Sequence, residues 1–325
     1  MKTRFEYEDF ALRIDEQSDG FRVRLVRSPY GPREERFIPP FSPREQTALL
    51  DSLAGTSMPV DSRTHGGATR DLSPVSKFAT FPESSPESIG DKLFRSLFEG
   101  KIRECFLRSL SHMESLPGTG VRIRLELDPT KPGLASLAAL PWELMYRDES
   151  RDFLSRNLTT PVVRYFDVAH LQTAPPPIRE ELRIVVLLAS PEGSPRLDQE
   201  GELARIESAW GARGDIRIIQ PERPTLRALR AILRQTAPHV FHFIGHGTFD
   251  PATGHGGLLL EDDQGRAHPV TGRLLAETLK IGHQIRLVFL NSCEGARLPR
   301  REAQDPYHGV ASALLRGGVA SVLAM

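Results

Sequence analysis

From Arg183 onward the chain alternates short apolar blocks with amphipathic ones, and that pattern leaves few folds open. Arg183 to Ala189 (RIVVLLA) is a near-continuous apolar run, as a strand buried on both faces requires. Asp198 to Trp210 sets Leu203, Ile206 and Trp210 at helical spacing, and Ile216 to Ile219 is a strand. Thr225 to Gln235 is an amphipathic helix that Thr225 can cap. Val240 to Ile244 (VFHFI) is a strand, ending on a turn formed by Gly245-His246-Gly247. Leu258 to Leu260 opens an excursion turned at Asp263-Gln264-Gly265. Helix Thr271–Leu279, buried strand Ile285–Leu290, helix Pro306–Arg316 and buried strand Val319–Leu323 complete the series. Strands alternating with helices predict an α/β fold, a three-layer sandwich with a mostly parallel sheet and helices on both faces.

The first half is less regular. Phe10, Leu12 and Ile14 share one face of a strand, Phe21, Val23 and Leu25 alternate in a second, and Asp19-Gly20 between them signals a hairpin. Gly55 to Gly90 is rich in Ser, Thr, Pro and Gly and reads as a linker or irregular loop. Leu93 to Leu110 carries one broad apolar helical face interrupted at Gly100. Val121, Ile123, Leu125 and Leu127 alternate with charged residues in a strand that has one wet face, and Pro161 to Phe166 is a further strand. Proline-rich Thr173–Glu181 is a joint. The expected organisation is therefore a strand-rich segment 1–54, a linker 55–90, an α/β half 91–172 and a second domain 173–325.

Charge and cysteine content narrow the class. Lys+Arg and Asp+Glu are both 42, so no basic excess favours coating nucleic acid or an anionic membrane. Two cysteines, Cys105 and Cys293, are too few for a stapled secreted scaffold. The N-terminus has no apolar core of a signal peptide, and no run approaches the ~18 apolar residues of a membrane span. These observations predict a soluble, cytoplasmic protein with no nucleic-acid or membrane partner.

In a parallel sheet, reactive groups collect at the carboxyl ends of the strands. One such end carries Gly245-His246-Gly247; another carries Asn291-Ser292-Cys293-Glu294-Gly295, 47 residues from His246 to Cys293. That leaves room for an excursion, a helix and a return strand, so neighbouring strands would bring His246 and Cys293 within side-chain reach. A thiol is weakly ionised at neutral pH and needs a base beside it, which His246 would supply. Backbone N–H groups of Gly247 and Cys293 are the natural oxyanion donors.

HFIGHG, LVFLNSCEGA and GVASALLRGGVASVLAM together resemble the CHAT family of caspase-like cysteine peptidases of clan CD. The likeness extends upstream to Leu140-Pro141-Trp142-Glu143-Leu144 and Pro161-Val162-Val163-Arg164, and covers about Ser88 to Met325. It implies a caspase–hemoglobinase-like sandwich preceded by an α/β half that is structural or a degenerate pseudo-peptidase copy. It further implies a regulated bacterial endopeptidase with a Cys-His dyad, acting on a protein or peptide, gated by a partner protein or fused domain, and needing no metal or organic cofactor. Asn291-Ser292 depart from the caspase residues before the cysteine but fit the CHAT pattern. Family members continue past the position of Met325, so the peptidase domain reads as truncated within a strand.

Other readings attach to the same residues. Glu261, Asp262, Asp263 and Glu294 could contact a substrate; a solvated turn explains the acidic run equally well. Cys105 lies on an apolar helical face and reads as core. His242, inside a strand, reads as a packed histidine bonded across to another strand, and His255 and His268 as exposed. A zinc site drawn from His242, His246, His255 and Cys293 is disfavoured because HxxxH suits a helix, and no phosphate-loop pattern occurs. The rival function classes are a catalytically silent CHAT pseudo-protease acting as an interaction module and, more remotely, a nucleotide- or small-ligand-binding domain.

Overall fold

Phe10, Leu12 and Ile14 put the apolar stripe of the first strand on one face of a sheet, and the core of the first unit is built against that face. In the computed structural model, which describes residues 5–54, 85–128, 131–165, 177–178, 181–210, 213–250, 255–292 and 306–324, the chain forms two units, Met1–Asp167 and Val168–Met325. The first contains β1 (Glu6–Gln17), β2 (Gly20–Arg27), β3 (Arg33–Phe37), α1 (Pro43–Ala54), α2 (Pro86–Leu97), α3 (Gly100–Glu114), β4 (Thr119–Glu126), α4 (Pro132–Ala138), β5 (Tyr146–Arg147), β6 (Asp152–Phe153) and β7 (Val162–Tyr165). Five of these strands make a mixed sheet in the order β3-β2-β1-β4-β7, with β1 antiparallel to β2 and parallel to β4.

The two faces of this sheet follow the alternation. Phe10, Leu12, Ile14, Val121, Ile123 and Leu125 are buried against Phe94, Phe98 and Phe106, with the Phe10 and Phe106 rings 5.4 Å apart. Cys105 joins that core, as its helical face requires. On the wet face Asp9 accepts from Arg122 and Arg124. Burial alone would disfavour the Asp9 carboxylate, but these two arginines bond it and hold its carboxyl below the usual range.

Two sequence expectations change here. Pro86 to Gly90, assigned to the linker by composition, are helical: Ser85 caps the amide of Ser88 and Pro86 opens the helix. The apolar face predicted over Leu93–Leu110 belongs to two helices, with Gly100 at a positive φ of 51° at the break.

The second unit contains β8 (Leu182–Leu188), α5 (Gln199–Trp210), β9 (Ile216–Ile219), α6 (Leu226–Thr236), β10 (Val240–Asp250), β11 (His255–Glu261), β12 (Ala267–Thr271), α7 (Gly272–Leu279), β13 (Leu287–Ser292), α8 (Pro306–Arg316) and β14 (Ser321–Ala324). Strands β9, β8, β10, β13 and β14 lie side by side in that order and all run parallel. Numbered by appearance, the order is 2-1-3-4-5, a doubly wound sheet whose direction of winding reverses between β8 and β10. Val185, Leu187, Phe241, Phe243, Val288 and Leu290 pack toward α6, α7 and α8 on one face. Ile184, Val186 and Ile244 pack toward Ile206 of α5 on the other. Thr225 and Thr271 cap α6 and α7 through their side-chain oxygens.

Strand β14 differs from its expectation. It was read as buried, yet Leu323 is 49% exposed and β14 forms the edge of the sheet among the described residues.

Candidate active site

Gly245-His246-Gly247 was expected to be a turn, but β10 continues through it to Asp250. What changes at this point is the strand's company. The first part of β10 pairs in parallel with β8 as far as Ile244 and with β13 as far as Gly245. From His246 to Asp250 it pairs antiparallel with β11 instead. His246 is thus the first residue past the parallel pairing, at the carboxyl edge of the parallel sheet beside the winding reversal, where doubly wound folds bind their ligands. Neither flanking glycine has a positive φ. At Gly245 the reason for glycine is space, since a Cβ there would come within 2.3 Å of the Phe243 ring.

The His246 side chain is nearly enclosed, at 2% exposure. Its Nε2 lies 2.8 Å from the carbonyl oxygen of Pro195, in the loop that leaves β8. A carbonyl only accepts, so the contact places the ring hydrogen on Nε2 and leaves Nδ1 of the neutral ring with a free lone pair. That Nδ1 is buried and has no hydrogen-bond partner among the described residues. An enclosed, oriented imidazole with an unused acceptor is the arrangement a general base needs. Pro195 was not singled out in the sequence; nothing in a residue type marks a backbone carbonyl as an orienting group.

The other candidates fall in several places. Ser292, the residue before Cys293, pairs in register with Gly245, the residue before His246. Cys293 and Glu294 themselves lie outside the described residues, as does their distance to His246. Gly247 pairs in register with Leu258. Glu261 is occupied: its carboxylate accepts from the amide of Ser190 at 3.0 Å. Asp262 is a turn-former, accepting from the amides of Gln264 and Arg266 and from the Arg266 side chain. Those amide and guanidinium bonds hold its carboxyl below the usual range against a burial effect of opposite sign. Asp263 is exposed, and its backbone oxygen accepts from Arg223. The acidic run therefore builds the β11–β12 connection. His268 is exposed on β12.

His242 shares the face of β10 that carries His246, but four residues along an extended strand separate them by about 13 Å, too far to share one metal ion. The expected cross-strand hydrogen bond is absent: its register partners are Val186 and Phe289, which offer no side-chain acceptor. Instead the ring packs edge-on to Phe289 at 4.4 Å, and neither nitrogen has a hydrogen-bond partner among the described residues. Burial pushes its pKa down from 6.5 to about 4. The fold therefore keeps His242 neutral while the unfolded chain takes up a proton below about pH 6.5. Stability should fall as pH drops from 6.5 toward 4, where the effect levels off. A His242→Leu variant should lack this part of the loss. Urea denaturation of both proteins at pH 7.5 and 4.5 measures it; equal pH dependence in the two would contradict the assignment.

A family model of the CHAT domain matches residues 90–325, over two thirds of the chain, and the chain belongs to that caspase-like family of clan CD. No curated protein matches it. Among the described residues no helix is long and apolar enough to cross a membrane.

The upstream segments Leu140–Leu144 and Pro161–Arg164 have a structural role. Trp142 is fully buried and donates from Nε1 to the Leu137 oxygen at 2.8 Å. Arg164 bonds both Glu143 carboxylate oxygens at 2.7 Å and also donates to the backbone oxygens of Ala138 and Leu140. One guanidinium thus ties β7 to the end of α4 and to the following turn.

Proposed function

We propose that this protein is a cysteine endopeptidase of the caspase-like type, with Cys293 as nucleophile and His246 as general acid and base. The observation that carries the reading is the orientation of His246: Nε2 held by the Pro195 carbonyl, Nδ1 buried and unpartnered among the described residues, at the point where β10 leaves a parallel neighbour that runs to Ser292. Chain connectivity makes Cys293 the next residue along that neighbour.

The chemistry follows from these positions. Nδ1 takes the thiol proton, and the thiolate attacks the scissile carbonyl. The amides of Gly247 and Cys293 stabilise the oxyanion. His246 then returns its proton to the leaving amine, and water hydrolyses the thioester with His246 again as base. A protein or peptide is the substrate, and a regulatory partner or fused domain gates the activity. Residues 173–325 carry this peptidase domain on a caspase–hemoglobinase-like sheet, and residues 91–172 serve as its structural or regulatory half.

The two cysteines offer a direct test. At neutral pH iodoacetamide should alkylate Cys293 at least about tenfold faster than Cys105, which is 5% exposed in a hydrophobic core. Peptide mapping by mass spectrometry reads the order, and prior labelling of Cys105 would reverse the assignment of core and nucleophile.

A further inference from the structure

At the amino ends of the strands that lead to His246 and Ser292, three basic side chains stand in a row. Arg183 lies in β8, His239 immediately precedes β10 and Arg286 immediately precedes β13. The backbone ladder continues through them: the His239 amide donates to the Arg183 oxygen and the Arg286 amide to the His239 oxygen, each at 2.9 Å. Each precedes by two a residue of one buried cluster, Val185, Phe241 and Val288, so the three project from the same face of the sheet.

The row is rich in donors and poor in negative charge. Arg183 donates to the backbone oxygen of Ala237 and to the side-chain oxygen of Gln284, both neutral. Its amide donates to Nδ1 of His239, which places the hydrogen of the neutral ring on Nε2. That Nε2 lies 3.4 Å from Nη2 of Arg183, so two donors face one another, with the Gln284 side-chain oxygen as a neutral acceptor beside both. Nε of Arg286 is buried with no hydrogen-bond partner among the described residues. No carboxylate pairs with Arg183 or Arg286 among those residues; the acid nearest Arg183 in sequence, Glu181, is 4.0 Å from Arg217. His239 is itself buried at 4% exposure. Burial first, and then the charges of Arg183 and Arg286, hold its pKa below the usual histidine range against the opposing hydrogen bond to Gln284.

We infer that this row is a binding site for a small phosphoryl anion, inorganic phosphate or the phosphate of a monoester, held by Arg183, Arg286 and the Nε2–H of His239. Two guanidinium groups match the charge of a phosphate dianion, and their planar forks match its oxygens. Gln284, the neutral acceptor that an anion would displace, is exposed to solvent. Seven residues of extended strand, about 23 Å, separate His239 from His246, so the anion is a ligand distinct from the peptide.

Equilibrium dialysis of the full chain against radiolabelled orthophosphate, at ionic strength fixed with sodium chloride, tests the site. Saturable binding is expected, weakened at least about tenfold in Arg286→Gln and unchanged in Arg27→Gln, which alters an exposed arginine of the other unit. Competition by AMP would extend the site to monoesters; displacement by orthophosphate alone would restrict it to the free anion. Arg286→Lys keeps the charge without the fork and should bind several-fold more weakly, which covers the case in which Arg286→Gln fails to fold. Non-saturable uptake, or wild-type affinity in either Arg286 variant, would overturn the inference.

Discussion

Cys293→Ala and His246→Ala should each lower peptide hydrolysis by about 10³-fold or more, and the double variant should be no worse than the poorer single one. The two side chains act on one proton and one bond, so removing either disables both, and their losses do not add. General acid–base catalysis alone is worth about 10² to 10⁴. The loss at His246 should appear in kcat with little change in KM, because the imidazole acts on the reacting bond and contributes little to holding the rest of the peptide. Additive losses would mean that the two residues work independently. A fully active Cys293→Ala protein would leave the silent interaction module as the better account.

The largest expected effect on stability lies in the other unit. Trp142→Ala should destabilise it by about 3–5 kcal/mol, the usual cost of deleting a large buried aromatic side chain. The variant loses the packing of a fully enclosed indole and also the hydrogen bond from Nε1 to the Leu137 oxygen. Trp142→Phe retains most of the volume and should recover more than half of the loss. Thermal or urea denaturation followed by circular dichroism measures both. A change below about 1 kcal/mol in Trp142→Ala would mean that the Leu140–Leu144 motif does not serve the fold.

Much of this architecture is legible in the order of the residues. The period of the apolar positions fixes β8, α5, β9, α6, β13 and α8 to within a residue or two, because strands buried on both faces and amphipathic helices leave distinct patterns. Local periodicity says nothing about which strands become neighbours, so the 2-1-3-4-5 order and the exchange of β8 for β11 beside His246 were not readable. Glycines around His246 suggested a turn, whereas Gly245 makes room for the Phe243 ring within an extended strand. The buried strand expected at Val319–Leu323 is an edge among the described residues, since burial depends on what packs on it. His246 stood out through its glycine neighbours and its spacing from Cys293. Pro195, which orients it, contributes only a backbone atom. The acidic run Glu261–Asp263 left substrate contact and a solvated turn equally open, because its role as a turn scaffold emerges only once Ser190, Gln264 and Arg266 are folded around it.

The pairing of His246 with Cys293 is tested most directly by a peptidyl acyloxymethyl ketone, which reacts with a thiolate only when the peptide is bound beside it. Intact mass and peptide mapping should find one adduct on Cys293 in the wild-type chain, formed at least about 100-fold more slowly in His246→Ala. An adduct on another residue, or equal rates of Cys293 modification with and without His246, would contradict the assigned dyad.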